Sequence, residues 1–263
     1  MFKTGLASVS FRNLSVEEIV CLTRKCGLSA IEWGSDIHAP RNDVENLKRI
    51  KTLMEAAGLY TSSYGTYFRI GETHTDELFE YVSAANILGT ETLRLWCGRK
   101  NYEDMSEKER DHIIEESKKV AAIAEKSGVV LCMECHNNSF TNCISGALRL
   151  MREVDSESFR MYWQPSPLLD EKENIEYAKR IAPFTRSIHV FNRSASGPRP
   201  LSQDGGAWGK YLSCFSGSQH LLLEFMPDGL PSSLEAEATA LMRIVKERGI
   251  ALNSSASRET AAI

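Results

Sequence analysis

Four residues of this chain could hold a metal ion together: Glu134, Gln164, His189 and Glu224. Carboxylate, amide and imidazole groups supply oxygen and nitrogen donors, a set that suits a divalent ion of intermediate hardness. Mn²⁺ fits best, with Zn²⁺, Co²⁺ and Mg²⁺ as alternatives. The four are separated in turn by 30, 25 and 35 residues. Each lies at the end of a short apolar run. Glu134 closes Val129-Val130-Leu131-Cys132-Met133, long enough for one buried strand. A carboxylate there is costly unless a cation, a metal or a reacting group meets it.

The elements that must position these groups follow from periodicity. Short apolar runs at residues 5–9, 30–33, 60–64, 92–96, 129–134, 160–164, 187–191 and 221–225 predict eight strands, with helical periodicity between them. Ser15-x-x-Glu18, Ser106-x-x-Glu109 and Ser232-x-x-Glu235 read as capping boxes. Val44, Leu47, Ile50, Met54 and Ala57 mark one apolar helix face, and Glu115 with Lys119 marks a solvent-side pair. Gly27, Gly58, Gly89, Gly128 and Gly249 sit where such helices should end. The first three recur every 31 residues, about one strand–helix unit. Alternation of this kind predicts a parallel sheet, and eight units predict a (β/α)8 barrel. An open sheet with a phosphate loop is not expected, because Ser8-Val9-Ser10-Phe11-Arg12 has no glycine. No linker divides the chain. One barrel domain is expected over residues 1–252, with a polar tail over 253–263.

In a parallel barrel the C-terminal strand ends form the active face. Side chains two apart on a strand share a face, so Arg94 accompanies Trp96 and Glu134 accompanies His136. Consecutive units place consecutive strands side by side, so the four ligand-type residues converge. Glu32, His38, Tyr64, Arg94, Trp96, His136 and Arg199 are expected to contact substrate, since aromatic faces stack on ring-shaped ligands and His or Arg bonds hydroxyl or anionic groups. Residues 192–210 exceed an ordinary loop and carry Arg193, Arg199 and Trp208, which suggests a lid.

Composition narrows the partners. The 263 residues are 42% hydrophobic and 25% charged, with net charge −4 and a pI near 5.9. That balance argues against a nucleic-acid partner. No apolar run approaches the roughly 18 residues of a membrane span. The first residues lead directly into a strand-like segment, so no signal peptide is expected. Seven cysteines, without regular spacing, suggest reduced thiols and a cytoplasmic protein. Cys132 and Cys135 match C-x-x-C, but residues three apart on a strand face opposite sides. Assembly into a homo-oligomer is left open.

Leu131-Cys132-Met133-Glu134-Cys135-His136, Ser187-Ile188-His189-Val190 and Leu222-Leu223-Glu224 resemble the sugar isomerase/epimerase family of xylose-isomerase-like barrels. The resemblance runs from Ile31-Glu32-Trp33-Gly34 to Glu224. It implies a metal held by Glu on the fifth strand, Asp on the sixth, His on the seventh and Glu on the eighth. Glu134, Gln164, His189 and Glu224 occupy those places, and Gln164 in Tyr162-Trp163-Gln164-Pro165 departs from the acid. The implied function is a metal-dependent isomerase or epimerase acting on a sugar, sugar phosphate or related polyol. Glu134 and Glu224 would then carry protons next to a carbonyl. The alternatives are a dehydratase or lyase on the same barrel, or a non-catalytic sugar-binding protein with a degraded metal site.

Overall fold

The computed structural model describes residues 2–194 and 196–260. Eight parallel strands close into a barrel: β1 (Lys3–Ala7), β2 (Ala30–Gly34), β3 (Tyr60–Ile70), β4 (Thr92–Cys97), β5 (Val130–Glu134), β6 (Phe159–Trp163), β7 (Thr185–Val190) and β10 (His220–Leu223). Between β7 and β10 the chain inserts an antiparallel hairpin of β8 (Asn192–Ser194) and β9 (Gly197–Arg199). Around the barrel the order is β1-β10-β7-β6-β5-β4-β3-β2, so β5, β6, β7 and β10 are successive neighbours. This is the expected TIM barrel.

Among the described residues eight α-helices accompany the strands: α1 (Val16–Lys25), α2 (Val44–Ala56), α3 (Glu77–Leu88), α4 (Glu107–Ser127), α5 (Ile144–Val154), α6 (Glu171–Ile181), α7 (Ala207–Ser213) and α8 (Leu234–Thr260). Complete capping boxes start α1 at Ser15 and α4 at Ser106. Gly89 and Gly128 take left-handed backbone at the ends of α3 and α4, a conformation glycine adopts without a Cβ penalty.

Several local expectations need correction. Ser232 lies inside a 3-10 turn, Pro231–Ser233, so it cannot cap α8. An unforeseen box, Asp170 with Glu173, starts α6. Gly249 does not end a helix, because α8 continues past it. That helix also enters the segment expected as a polar tail, of which residues 261–263 lie outside the described residues. On α4 the ion pairs run Glu115–Lys118 and Glu116–Lys119, three apart rather than four. On α2, Leu47, Ile50 and Met54 are buried but Val44 is exposed.

The core has two parts. Outward-facing strand residues such as Trp33, Met133, Trp163 and Ile188 pack under the helices in one large cluster. Inside the barrel Cys132, Tyr162 and Leu222 form a small separate plug. Polar groups stand above that plug, screened from water on every side but the mouth. Strand β3 is longer than expected. Its register against β4 jumps from Gly65↔Arg94 to Arg69↔Trp96, so four steps on one strand match two on the other. Extra residues on one strand bend it locally, and here they bring Tyr67 to the mouth. No helix among the described residues is long and apolar enough to cross a membrane.

Candidate active site

Strand alternation aims Glu32, Arg94, Glu134 and His189 into the barrel, while their neighbours Trp33, Leu93, Met133 and Ile188 face the helices. The backbone beyond Glu134 is tied down: Thr141 Oγ1 donates to the Glu134 carbonyl at 2.5 Å, and Tyr177 donates to the Thr141 carbonyl at 3.1 Å. At the β10 end, the Glu224 amide donates to the Val190 carbonyl at 3.0 Å.

The four expected ligand residues meet. His189 Nδ1 is 3.2 Å from Gln164 Oε1, 3.4 Å from Glu224 Oε2 and 3.7 Å from Glu134 Oε1. Three oxygens from three strand ends thus face one nitrogen. Glu134, His189 and Glu224 each offer a ligand atom, all within 4.8 Å of one another. Ligands about 2.1 Å from a common ion stand at most about 4 Å apart, so small side-chain movements complete a site. Charge also fits. Glu32, Glu134 and Glu224 with Arg94 sum formally to −2 when His189 is neutral, which a divalent ion balances.

Arg94 and Glu32 organise the floor of this site. Both are almost wholly buried, at 3% and 1% exposure. The guanidinium donates from Nε to Glu32 Oε1 at 3.0 Å and from Nη1 to Glu134 Oε2 at 2.7 Å. Ser63 donates to Glu32 Oε2 at 3.0 Å. Burial alone would raise the Glu134 pKa, but Arg94 outweighs it and holds the carboxyl at about 2. Glu32 is likewise held far below the carboxylate range, burial being overcome by Arg94 and then His189. Glu224 behaves oppositely. Burial pushes it up to about 7, with His189 opposing and Glu134 adding to the rise. Burial would lower His189, yet Glu224 and Glu32 push it up to about 10. With no metal, the imidazolium supplies the positive charge that the carboxylates demand.

A cavity of about 290 Å³ opens above these groups. Arg94, Trp96, Glu134, His136, Gln164 and Glu224, all singled out in the sequence, line it. His136 Nδ1 faces the Asn137 carbonyl at 2.6 Å, which can only accept, so Nδ1 carries the proton and Nε2 is left over. Trp96 stacks obliquely on His136 at 5.7 Å.

Other expected contacts stand away from the cavity. His38 is spent on Ser8 Oγ and the Leu14 carbonyl, both at 3.2 Å. Tyr64 faces the helices and donates to the Ala39 carbonyl at 2.6 Å. Arg199 lies on the exposed hairpin, 3.5 Å from Gln203 Oε1. Glu32 lies below the mouth and contacts its polar groups from beneath. The segment read as a lid, apart from residue 195 outside the described residues, comprises the strands β8 and β9, a 3-10 turn at Leu201–Gln203 and α7, and Trp208 is buried against Trp163 with its Nε1 donating to the Phe191 carbonyl at 2.9 Å. The C-x-x-C cysteines are separate buried thiols, each pushed up to about 12 by burial.

Phe191 and Phe225 also line the cavity and were not singled out as contacts; Arg193, noted in the sequence within the 192–210 segment, lines it too. Phe191 and Arg193 follow His189 by two and four residues, so alternation alone could have flagged them. Phe225 could not be found this way. Its φ of +56° turns the chain directly after Glu224 and puts the ring at the cavity wall, 6.4 Å from Phe191. A non-glycine residue in that region costs about 1–3 kcal/mol and tends to occur at functional sites.

Known proteins share this architecture. A 3-dehydroshikimate dehydratase from Bacillus anthracis is 24% identical over 211 residues, 74% of this chain and 73% of that protein. The crystal structure of the probable 3-DHS dehydratase AsbF of petrobactin synthesis from Bacillus anthracis superposes with a TM-score of 0.77 at 18% identity, covering 92% of this chain and 99% of that one. An L-ribulose 3-epimerase superposes with a TM-score of 0.76 at 14% identity, covering 97% and 98%. Residues 21–200, most of the barrel, match the family described as xylose isomerase-like TIM barrels, and this chain belongs to that family.

Proposed function

We propose that this protein is a divalent-metal-dependent lyase that dehydrates a small polyhydroxylated carbonyl compound, with Glu224 and His136 as its proton carriers. The observation that carries this reading is the unequal state of two carboxylates in one cavity. Glu134 has one oxygen bonded to Arg94 and the other turned to His189. Glu224 accepts no hydrogen bond among the described residues, and only one of its oxygens faces His189. Epimerisation needs proton carriers on both faces of one carbon. Dehydration needs one carrier to take a proton beside the carbonyl and another to protonate the departing hydroxyl. Glu224 suits the first step; the second needs His136 as the imidazolium, which keeps its Nδ1 proton on the Asn137 carbonyl and gives its Nε2 proton to the departing hydroxyl. On this reading dehydration is preferred to the isomerase or epimerase activity expected from the sequence.

Glu134, Gln164, His189 and Glu224 would hold the metal, with Gln164 as a neutral oxygen donor in place of an acid. A bound divalent ion would polarise the substrate carbonyl and make the adjacent C–H more acidic. Trp96, Phe191 and Phe225 supply apolar walls for a ring, and the plug below excludes water. Arg193 lines the cavity and has no carboxylate partner among the described residues, which suits a substrate bearing an acid group.

The 3-dehydroshikimate dehydratase relative supplies the first substrate to try. Metal-free protein reconstituted with Mn²⁺ is incubated with 3-dehydroshikimate and, separately, with L-ribulose, in D₂O. Loss of water from the former yields an aromatic ring that absorbs in the ultraviolet. Growth of that absorbance is expected. Epimers carrying deuterium, with no absorbing product, would favour the epimerase reading instead.

A further inference from the structure

We infer that Glu32 is the positioning residue of the metal site: it selects the tautomer of His189 and, through Arg94, the orientation of Glu134. The inference rests on the metal reading above and extends it to a residue that no ligand set includes.

The imidazole has two sides with different surroundings. Nδ1 faces the oxygens of Gln164, Glu224 and Glu134 between 3.2 and 3.7 Å away. Nε2 is buried, finds no well-aligned partner among the described residues, and faces Glu32 Oε2 at 3.4 Å. Both sides of the ring face acceptors, but only the Nδ1 side gathers three donor oxygens around one spot; with an ion held there the ring N–H belongs on Nε2, toward Glu32, which can only accept. The Nδ1 lone pair is then free for an ion. A metal-binding histidine commonly gives its other N–H to a carboxylate, which fixes the ring and raises the basicity of the ligating nitrogen.

Glu32, on β2, is held by side chains from two further strands. Ser63 on β3 donates to Oε2 at 3.0 Å, and Arg94 on β4 donates to Oε1 at 3.0 Å. The same guanidinium bonds Glu134 Oε2 at 2.7 Å. That bond leaves Glu134 Oε1 as the oxygen turned to the ligand side. One carboxylate therefore aims two of the four ligands, one by direct contact and one through a shared cation. It also completes the charge balance. Without it the site sums formally to −1, one short of a divalent ion.

The test is calorimetric titration of metal-free protein with Mn²⁺ for wild type, Glu32→Gln and Glu32→Asp, with thermal melts to confirm folding. Long-range ¹⁵N–¹H spectra of histidine-labelled, Zn²⁺-loaded protein report the His189 tautomer. Glu32→Gln should weaken binding roughly 10- to 100-fold and mix the tautomers. Glu32→Asp keeps the charge but shortens the reach, and should fall between the two. If the Gln form does not fold, a severalfold loss in the Asp form, with the altered His189 spectrum, carries the same result. Unchanged affinity and spectrum in a folded variant would overturn the role of Glu32 and leave the metal site standing. A wild type that binds neither ion would overturn both.

Discussion

At the residue scale the site sorts its acids by neighbour. Arg94 pins Glu134, and nothing of the kind holds Glu224. Glu224→Gln should keep the fold, weaken metal binding through the lost charge as Glu32→Gln does, and at saturating Mn²⁺ lower turnover by about 10²–10⁴, the usual worth of a proton-transfer group. Glu134→Gln should behave differently, because Arg94 is then left buried with only Glu32. Breaking such a pair costs roughly 3–5 kcal/mol. Solvent-deuterium exchange, metal content and a denaturation curve on both variants check the contrast; equal losses of stability would refute it. Gln164 is the third case. Replacing it by Asp adds a charge beside His189 Nδ1, and Mn²⁺ titration of Gln164→Asp should show tighter binding than wild type. Equal or weaker binding would remove residue 164 from the ligand set.

At the element scale the barrel strands matter for what they omit as much as for what they present. Gly65 on β3 lies where a Cβ would come within 2.8 Å of both Arg94 Nη2 and Glu32 Oε1. The Glu32–Arg94–Glu134 chain of contacts exists because that position has no side chain. Gly65→Ala should therefore destabilise by about 1–3 kcal/mol, the common cost of overpacking. It should also weaken Mn²⁺ binding, although residue 65 touches no ligand. Urea denaturation and metal titration measure the two effects, and a loss of stability with full affinity would separate Gly65 from the site. The helices were legible where their signals are local. Ser15 and Ser106 cap as their spacing implies, since a capping box involves only one turn of chain. Ser232 satisfies the same pattern and fails, because Pro231 opens a 3-10 turn there first.

At the scale of the whole molecule the two barrel ends differ. The C-terminal mouth gathers acids. At the N-terminal end Lys3, Arg160, Arg186 and His220 stand together, with a cleft of about 320 Å³ between the last three and their neighbours. Burial, then Lys3 and Arg186, hold His220 down to about 4 from the ordinary 6.5. The folded value lies below the unfolded one, so the unfolded chain binds more protons between them. The stability this group provides is full above about 6.5 and is lost as pH falls through 6.5 toward 4. His220→Gln should flatten the fall of melting temperature between pH 7 and 4.5; an unchanged slope would refute it.

Composition and period were enough for the architecture. Alternation of apolar runs with helical segments, repeated eight times, leaves a closed parallel barrel as the economical way to bury every strand on both faces. The same period placed Glu134, Gln164, His189 and Glu224 on neighbouring strand ends. Tertiary structure alone decided how they are used. Arg94 reads as a substrate contact in the sequence, but closure of the barrel brings it between Glu32 and Glu134, residues 62 and 40 positions away. His38 and Tyr64 look equally available in the sequence and are consumed by backbone carbonyls once their segments fold against the barrel. Phe225 joins the cavity through a backbone angle that no periodicity encodes. Local pattern determines which elements form and which way they face. The partner of a buried polar group is set by which strands the closed sheet makes adjacent and how far each side chain reaches across it.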